Sequence, residues 1–279
     1  MEKGETIIKR IGVIILALFS FVVMLLGALQ IGVACAANLW THWRPSYEKM
    51  DIAPILSKSL LTAEDYDTLY RQTGIARSGI DDCLATGDTQ TILRAQDVFF
   101  AAANVHAEEF APFTYMERTD RMMPLAPLKD GDILITASTR FSFLRYGHSA
   151  LVVDGDNGLV LESVDFTTTS KTRSASIFSN YANFILLRPK VEDGVKAEAV
   201  EYAKQKLTGL PYSLSAGLIG SKFVETPTST QCAHLVWSAY MHCGVDLERD
   251  SGVIMPRDFL TDKVEVVQVY GFDLDSLWR

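Results

Sequence analysis

Residues 11–43 contain no Asp, Glu, Lys or Arg, and that stretch limits the chain more than any other. Its core, residues 11–37, exceeds the about 7–15 apolar residues of a signal peptide and meets the roughly 20 that a bilayer-crossing helix needs. Trp40 and Trp43 are placed for the far interface, with Arg44 the first charge beyond it. Lys3, Lys9 and Arg10 precede the run, which predicts a cytoplasmic N-terminus and a chain exported after Trp43. A second reading stays open: Ala34-Cys35-Ala36 is an Ala-x-Ala site, so the segment is alternatively a cleaved signal. Lipid attachment at Cys35 is disfavoured, because Gly32 stands where a large aliphatic residue is expected. Both readings export the bulk of the chain.

Beyond this segment (residues 1–44), the 279-residue chain has room for one or two domains. A net charge of −8 argues against a nucleic-acid partner, which needs a basic face. Four cysteines, Cys35, Cys83, Cys232 and Cys243, are too few for a disulfide scaffold. Residues 46–121 read as helical. Thr62-Ala-Glu-Asp65 is a capping-box start for a helix ending at Gly74, and residues 89–103 keep helical spacing through Ile92, Ala95, Gln96, Phe99 and Phe100. His106 and Glu109, one helical turn apart, read as a solvated helix face rather than a metal pair. Pro112, Pro124 and Pro127 mark the end of a small helical module, residues 45–125.

From Leu128 the period is that of strands, and residues 126–279 read as a second domain. Strands are expected after Asp130-Gly131, over residues 147–153, 159–163 and 183–188, and near 264–269, with a helix over 194–207. The fold class is α+β, a mainly antiparallel sheet with helices packed on it. The helix after Thr228-Ser-Thr-Gln-Cys232 carries the chemistry. Thr228, Ser229 and Thr230 offer cap oxygens, Gly244 suits a left-handed C-terminal cap, and Leu235, Val236, Ala239, Tyr240 and Cys243 form an apolar face. A thiol in the first turn feels unpaired backbone N–H groups and the helix dipole, both of which favour the nucleophilic thiolate. Cys243 would lie about 16 Å along the helix, too far for a disulfide.

A cysteine nucleophile needs a base and a group to orient it. His42 lies at the membrane edge and His106 in the helical segment, while His234 and His242 share a helix with Cys232. His148 remains. If Asp154–Gly158 is a five-residue hairpin loop, Val153 pairs with Leu159 and Ala150 with Glu162. His148 and Glu162 are then same-face diagonal neighbours, roughly 7–8 Å apart at their β-carbons, within reach of each other. A one-residue slip would place them on opposite faces.

Taken in order, Gly131-Asp-Ile, Tyr146-Gly-His-Ser-Ala-Leu-Val-Val, Leu161-Glu-Ser, Gly209-Leu-Pro-Tyr and Gln231-Cys-Ala-His-Leu-Val-Trp resemble the circularly permuted papain-like hydrolases of the NlpC superfamily, the YiiX/YebB-like group in particular. The resemblance covers about residues 128–270. It implies Cys232 as nucleophile, His148 as base and Glu162 as orienting residue, with Tyr146 and Tyr212 in the substrate pocket and neither metal nor organic cofactor. It points to amide bonds of cell-wall peptides. The pattern departs at Ser213, where the family often has Asp, and at Ala233-His234, where it has Ser-Glu. Cys-x-His-Leu-Val is similar instead to the lecithin–retinol acyltransferase-like branch, which makes a lipid acyl hydrolase or transferase the first alternative. A non-catalytic binding module on the same fold is the second. The oligomeric state is not legible.

Overall fold

A computed structural model describes residues 2–40, 42–142, 144–217, 221–249 and 252–278. The chain divides after Trp40 into two compact units. The first is a single helix, α1 (Glu2–Trp40). Its segment Arg10–Ile31, 22 residues long with mean hydropathy 2.8, is unburied throughout. At 1.5 Å per residue it measures about 33 Å, enough for the roughly 30 Å core of a bilayer. Its length and composition suit a membrane span or a signal segment. The side chains of Cys35 and Trp40 lie outside the described residues. Trp43 packs on Phe99 of the second unit, ring centroids 5.9 Å apart.

The second unit opens with helices: α2 (Ala53–Leu56), α3 (Ala63–Thr73), α4 (Arg77–Ala85) and α5 (Thr89–Phe100). The Thr62 hydroxyl accepts from the Asp65 N–H and the Asp65 carboxylate from the Thr62 N–H, a reciprocal cap for α3. Gly74, at φ 72°, ends that helix in the left-handed region.

Helix stops at Phe100, short of the expected residue 121. The chain instead forms a hairpin of β1 (Val105–Ala111) and β2 (Thr114–Thr119). Ala and Glu in β1 carry a local helical preference, but pairing along nearly all of β2 and burial of Thr114, Met116, Glu117 and Thr119 override it. His106 and Glu109, three residues apart on a strand, point to opposite faces. Glu109 accepts from the Phe113 N–H across the turn, at 2.9 Å.

The main sheet begins with β3 (Ile133–Thr136). The short β4 (Thr139–Phe141) and β5 (Leu144–Arg145) extend the hairpin into a sheet of order β1-β2-β4-β5. Next come β6 (His148–Asp154), β7 (Leu159–Glu162), β8 (Lys171–Ser174), β9 (Phe184–Pro189) and β10 (Val264–Tyr270). With β3 they form a six-stranded antiparallel sheet of order β10-β9-β3-β6-β7-β8. Helices α6 (Asp193–Lys206) and α7 (Cys232–His242) share a core with Ile133, Ile135, Leu151, Val153 and Leu161. The alternate residues Leu134, Ala150, Val152, Val160 and Leu186 pack with Leu69, Ile80, Ile92 and Phe99 of the helical segment. Two covered faces explain why the strands read as unbroken apolar runs rather than alternating ones. Residues 45–125 therefore do not stand apart as a module: they share a core with the sheet inside the same compact unit.

One ion cluster ties these layers together. Arg188 of β9 donates from Nε and Nη2 to the two Asp132 oxygens, both at 2.8 Å, and from Nη1 to Asp82 of α4 at 2.7 Å. Asp132 is fully buried, and burial raises its pKa against the opposing pull of Arg188. Removing one partner strands a buried charge, so Arg188→Met is expected to destabilise the unit by about 3–5 kcal/mol. Adding Asp132→Asn should recover part of the loss in chemical denaturation of the full chain. A loss below about 1 kcal/mol would remove the cluster from its structural role.

Candidate active site

Cys232 is the first residue of α7 and 3% exposed. The cap is Gln231, not Thr228, Ser229 or Thr230: its Oε1 accepts from the Ala233 N–H at 2.8 Å and from the Cys232 thiol at 3.5 Å. Its Nε2 donates to the Ile254 carbonyl at 3.1 Å. Gln231 thus fixes the helix start and the sulfur together. Thr230 is buried instead beside His234, and its backbone bridges Tyr212. Gly244 adopts φ 75°, the expected left-handed cap. The helix is buried all round, from Cys232 through Tyr240, rather than along one stripe.

His148 opens β6. The preceding Gly147 sits at φ 75°, where a β-carbon would fall 2.5 Å from the Trp278 ring and 2.6 Å from the Thr136 carbonyl. No larger residue fits there, so the strand entry is fixed by close backbone approach. The imidazole stacks on Phe178, centroids 6.1 Å apart and planes 16° from parallel. The pairs Ala150–Glu162, Leu151–Leu161 and Val152–Val160 follow the expected register. A bulge at Val153 shifts the last pair, so Leu159 faces Asp154 rather than Val153. The irregularity lies at the loop end and leaves the His148–Glu162 diagonal intact.

Across that diagonal His148 Nε2 and Glu162 Oε2 are 2.8 Å apart. Glu162 is wholly buried, and its Oε1 accepts from Arg173 Nη1 of β8 at 2.9 Å. Cys232 lies near enough to the same imidazole to raise its pKa. With Nε2 engaged by Glu162, Nδ1 is the ring nitrogen left for sulfur.

Burial alone would lower the pKa of His148. Hydrogen bonds to Cys232 and Glu162, and the charges of both, outweigh it and push the imidazole up to about 10. For Glu162, burial opposes ionisation, but the bond and charge of His148 and the charge of Arg173 hold its carboxyl below the ordinary value. Burial first, then nearby acids, push Cys83 up to about 12 and Cys243 up to about 11. His234, lowered chiefly by burial, faces the Lys222 carbonyl at 3.0 Å, and His242 faces Glu225.

Tyr146 and Tyr212 also gather here. Burial first and the nearby Cys232 charge next raise both phenols, so both keep their protons at neutral pH. The two rings line one side of a cavity of about 380 Å³. The structure therefore brings Cys232, His148, Glu162, Tyr146 and Tyr212 to one place. Two polar members, Arg173 and Gln231, are not evident from sequence. Gln231 directly precedes the cysteine, a signal masked by three better cap residues. Arg173 lies on a strand with no apolar alternation.

Comparison of the chain with protein-family models, curated proteins and solved structures returns no match.

The charge of Glu162 supports the His148 imidazolium. Its stabilising contribution is complete below the unfolded imidazole pKa, about 6.5, and disappears as pH rises through about 10. Glu162→Gln removes that charge, so the His148 titration followed by NMR should move down by about one unit or more. An unchanged midpoint would break the electrostatic link between the two residues.

Proposed function

We propose that this chain is a membrane-anchored cysteine hydrolase of the permuted papain-like kind, acting through an acyl-enzyme. The observation that carries the reading is the buried group Cys232, His148 and Glu162, in which Glu162 bonds His148 on one side and the half-buried Arg173 on the other, with Cys232 near enough to raise the imidazole's pKa. A packed core has no need of a cysteine, an imidazolium and a carboxylate gathered together, because each charged group resists desolvation.

The chemistry follows from the contacts. The proton of Cys232 rests on His148 as a thiolate–imidazolium pair, and the thiolate sulfur attacks a carbonyl carbon, moving an electron pair onto oxygen. The Cys232 N–H, in the first turn of α7, points a donor toward that oxyanion, and Tyr146 and Tyr212 supply protonated hydroxyls nearby. The imidazolium gives its proton to the departing amine or alkoxide as the carbonyl carbon's bond to it breaks, leaving a thioester. Water, deprotonated by His148, then attacks and releases the acid and the thiol. Glu162 stays ionised and holds the ring, and Arg173 holds Glu162. The anchor is α1, and the basic residues ahead of it favour a catalytic unit outside the cytoplasm.

The motifs favour amide bonds of cell-wall peptides, whereas the apolar cavity favours a lipid acyl group. Incubating the full chain and Cys232→Ala with peptidoglycan fragments and with membrane lipids, followed by mass spectrometry, tests the reaction. Cleavage of at least one class should fall by at least about 10³-fold in the variant. Cleavage of neither by the wild-type chain would remove the hydrolase reading.

A further inference from the structure

The cavity lined by Tyr146 and Tyr212, the two phenols that feel the charge of Cys232, does not suit a polar peptide. Its walls are Leu144, Phe166, Leu214 and Met255 with the rings of Tyr146 and Tyr212, and the exposed lining is almost wholly apolar. The one carboxylate on its wall, Asp165, turns back to accept from the N–H and hydroxyl of Thr167. Cell-wall peptides carry carboxylates and amines, and burying these without partners is costly. Leu144, Phe166 and Leu214 are 59%, 63% and 60% exposed. Single exposed apolar residues are ordinary, but three on the wall of one cavity mark a surface that gains from an apolar ligand.

Resting on the cysteine-hydrolase reading, we infer that this cavity receives the acyl chain of a membrane lipid, with the ester or amide carbonyl at Cys232 and the chain running past Tyr146 and Tyr212. The length is set by volume. A methylene fills about the space of a water molecule, roughly 30 Å³, so the cavity accommodates on the order of a dozen carbons. The membrane-length helix on the same chain favours a bilayer lipid over a freely diffusing acyl donor. Hydrolysis consumes one water: the carbonyl carbon's bond to oxygen or nitrogen breaks, a fatty acid leaves, and the head-group alcohol or amine takes the proton from His148.

The test uses the full chain in lipid nanodiscs and p-nitrophenyl esters of two to sixteen carbons. The rate left in Cys232→Ala is subtracted. Wild-type kcat/KM should rise about three- to fourfold per added methylene and level off near a dozen carbons. Ester partitioning into the disc cancels in the variant-to-wild-type ratio at each length. Leu214→Asp, at an exposed position, and Met255→Trp, which fills the cavity, should each lower the ten-carbon to two-carbon preference at least tenfold. Cys232-dependent hydrolysis with no dependence on chain length, or variants whose ratio to wild type is the same at every length, would overturn the acyl site and leave the hydrolase standing. Loss of all Cys232-dependent hydrolysis would overturn the hydrolase reading instead. Chain binding is read separately, by photocrosslinking a diazirine fatty acid to Cys232→Ala and mapping the adducts. Adducts at Tyr146, Phe166 or Leu214 support the site, and their absence contradicts it even where esters are cleaved.

Discussion

A carboxylate shut off from water beside an imidazole is the constraint on which the rest of the second unit depends. Glu162 cannot remain ionised at that depth on solvation alone, so it needs His148 on one oxygen and Arg173 on the other. Those partners come from β6 and β8, the two neighbours of β7, which makes the site a property of sheet pairing. A slip at either strand boundary would separate them. The helical segment has a part in this, because it shares a core with the face on which Ala150, Val152 and Val160 lie. Phe178 of the same core stacks on the imidazole. Covering that face excludes water from the pair and strengthens every contact within it.

Cys232 approaches from the other layer. Helix α7 lies in the core shared with α6 and presents its first turn to His148, the first residue of β6. Two local devices hold this junction. Gln231 braces the helix start, and Gly147 admits Trp278 and the Thr136 carbonyl where any side chain would collide. Cys232 and His148 are each fixed by a neighbour one position earlier in the chain.

Much of this arrangement is legible in sequence, for a definable reason. The turn residues Asp154–Gly158 set the hairpin register to within one bulge, and register alone decides that His148 and Glu162 share a face. Helices with strong punctuation, such as that between Thr62 and Gly74, are equally readable. What stays hidden depends on contacts distant in sequence. The strand Val105–Ala111 carries helix-favouring residues and becomes a strand through its partner. Arg173 belongs to a Thr- and Ser-rich stretch without apolar alternation, and its role exists only once β8 lies beside β7. The cavity joins Tyr146, Phe166, Tyr212 and Met255 from separate loops and strand ends, so no periodicity announces it.

In the proposed reaction Cys232, alone among the described thiols, is a nucleophile served by His148. The most direct measurement is acid quenching of the full chain during turnover of p-nitrophenyl acetate, followed by peptide mass mapping. An acetyl group is expected on Cys232, removable by hydroxylamine and strongly reduced in His148→Ala, with Cys83 and Cys243 unmodified. No adduct at Cys232 despite turnover, or equal labelling of Cys243, would contradict it.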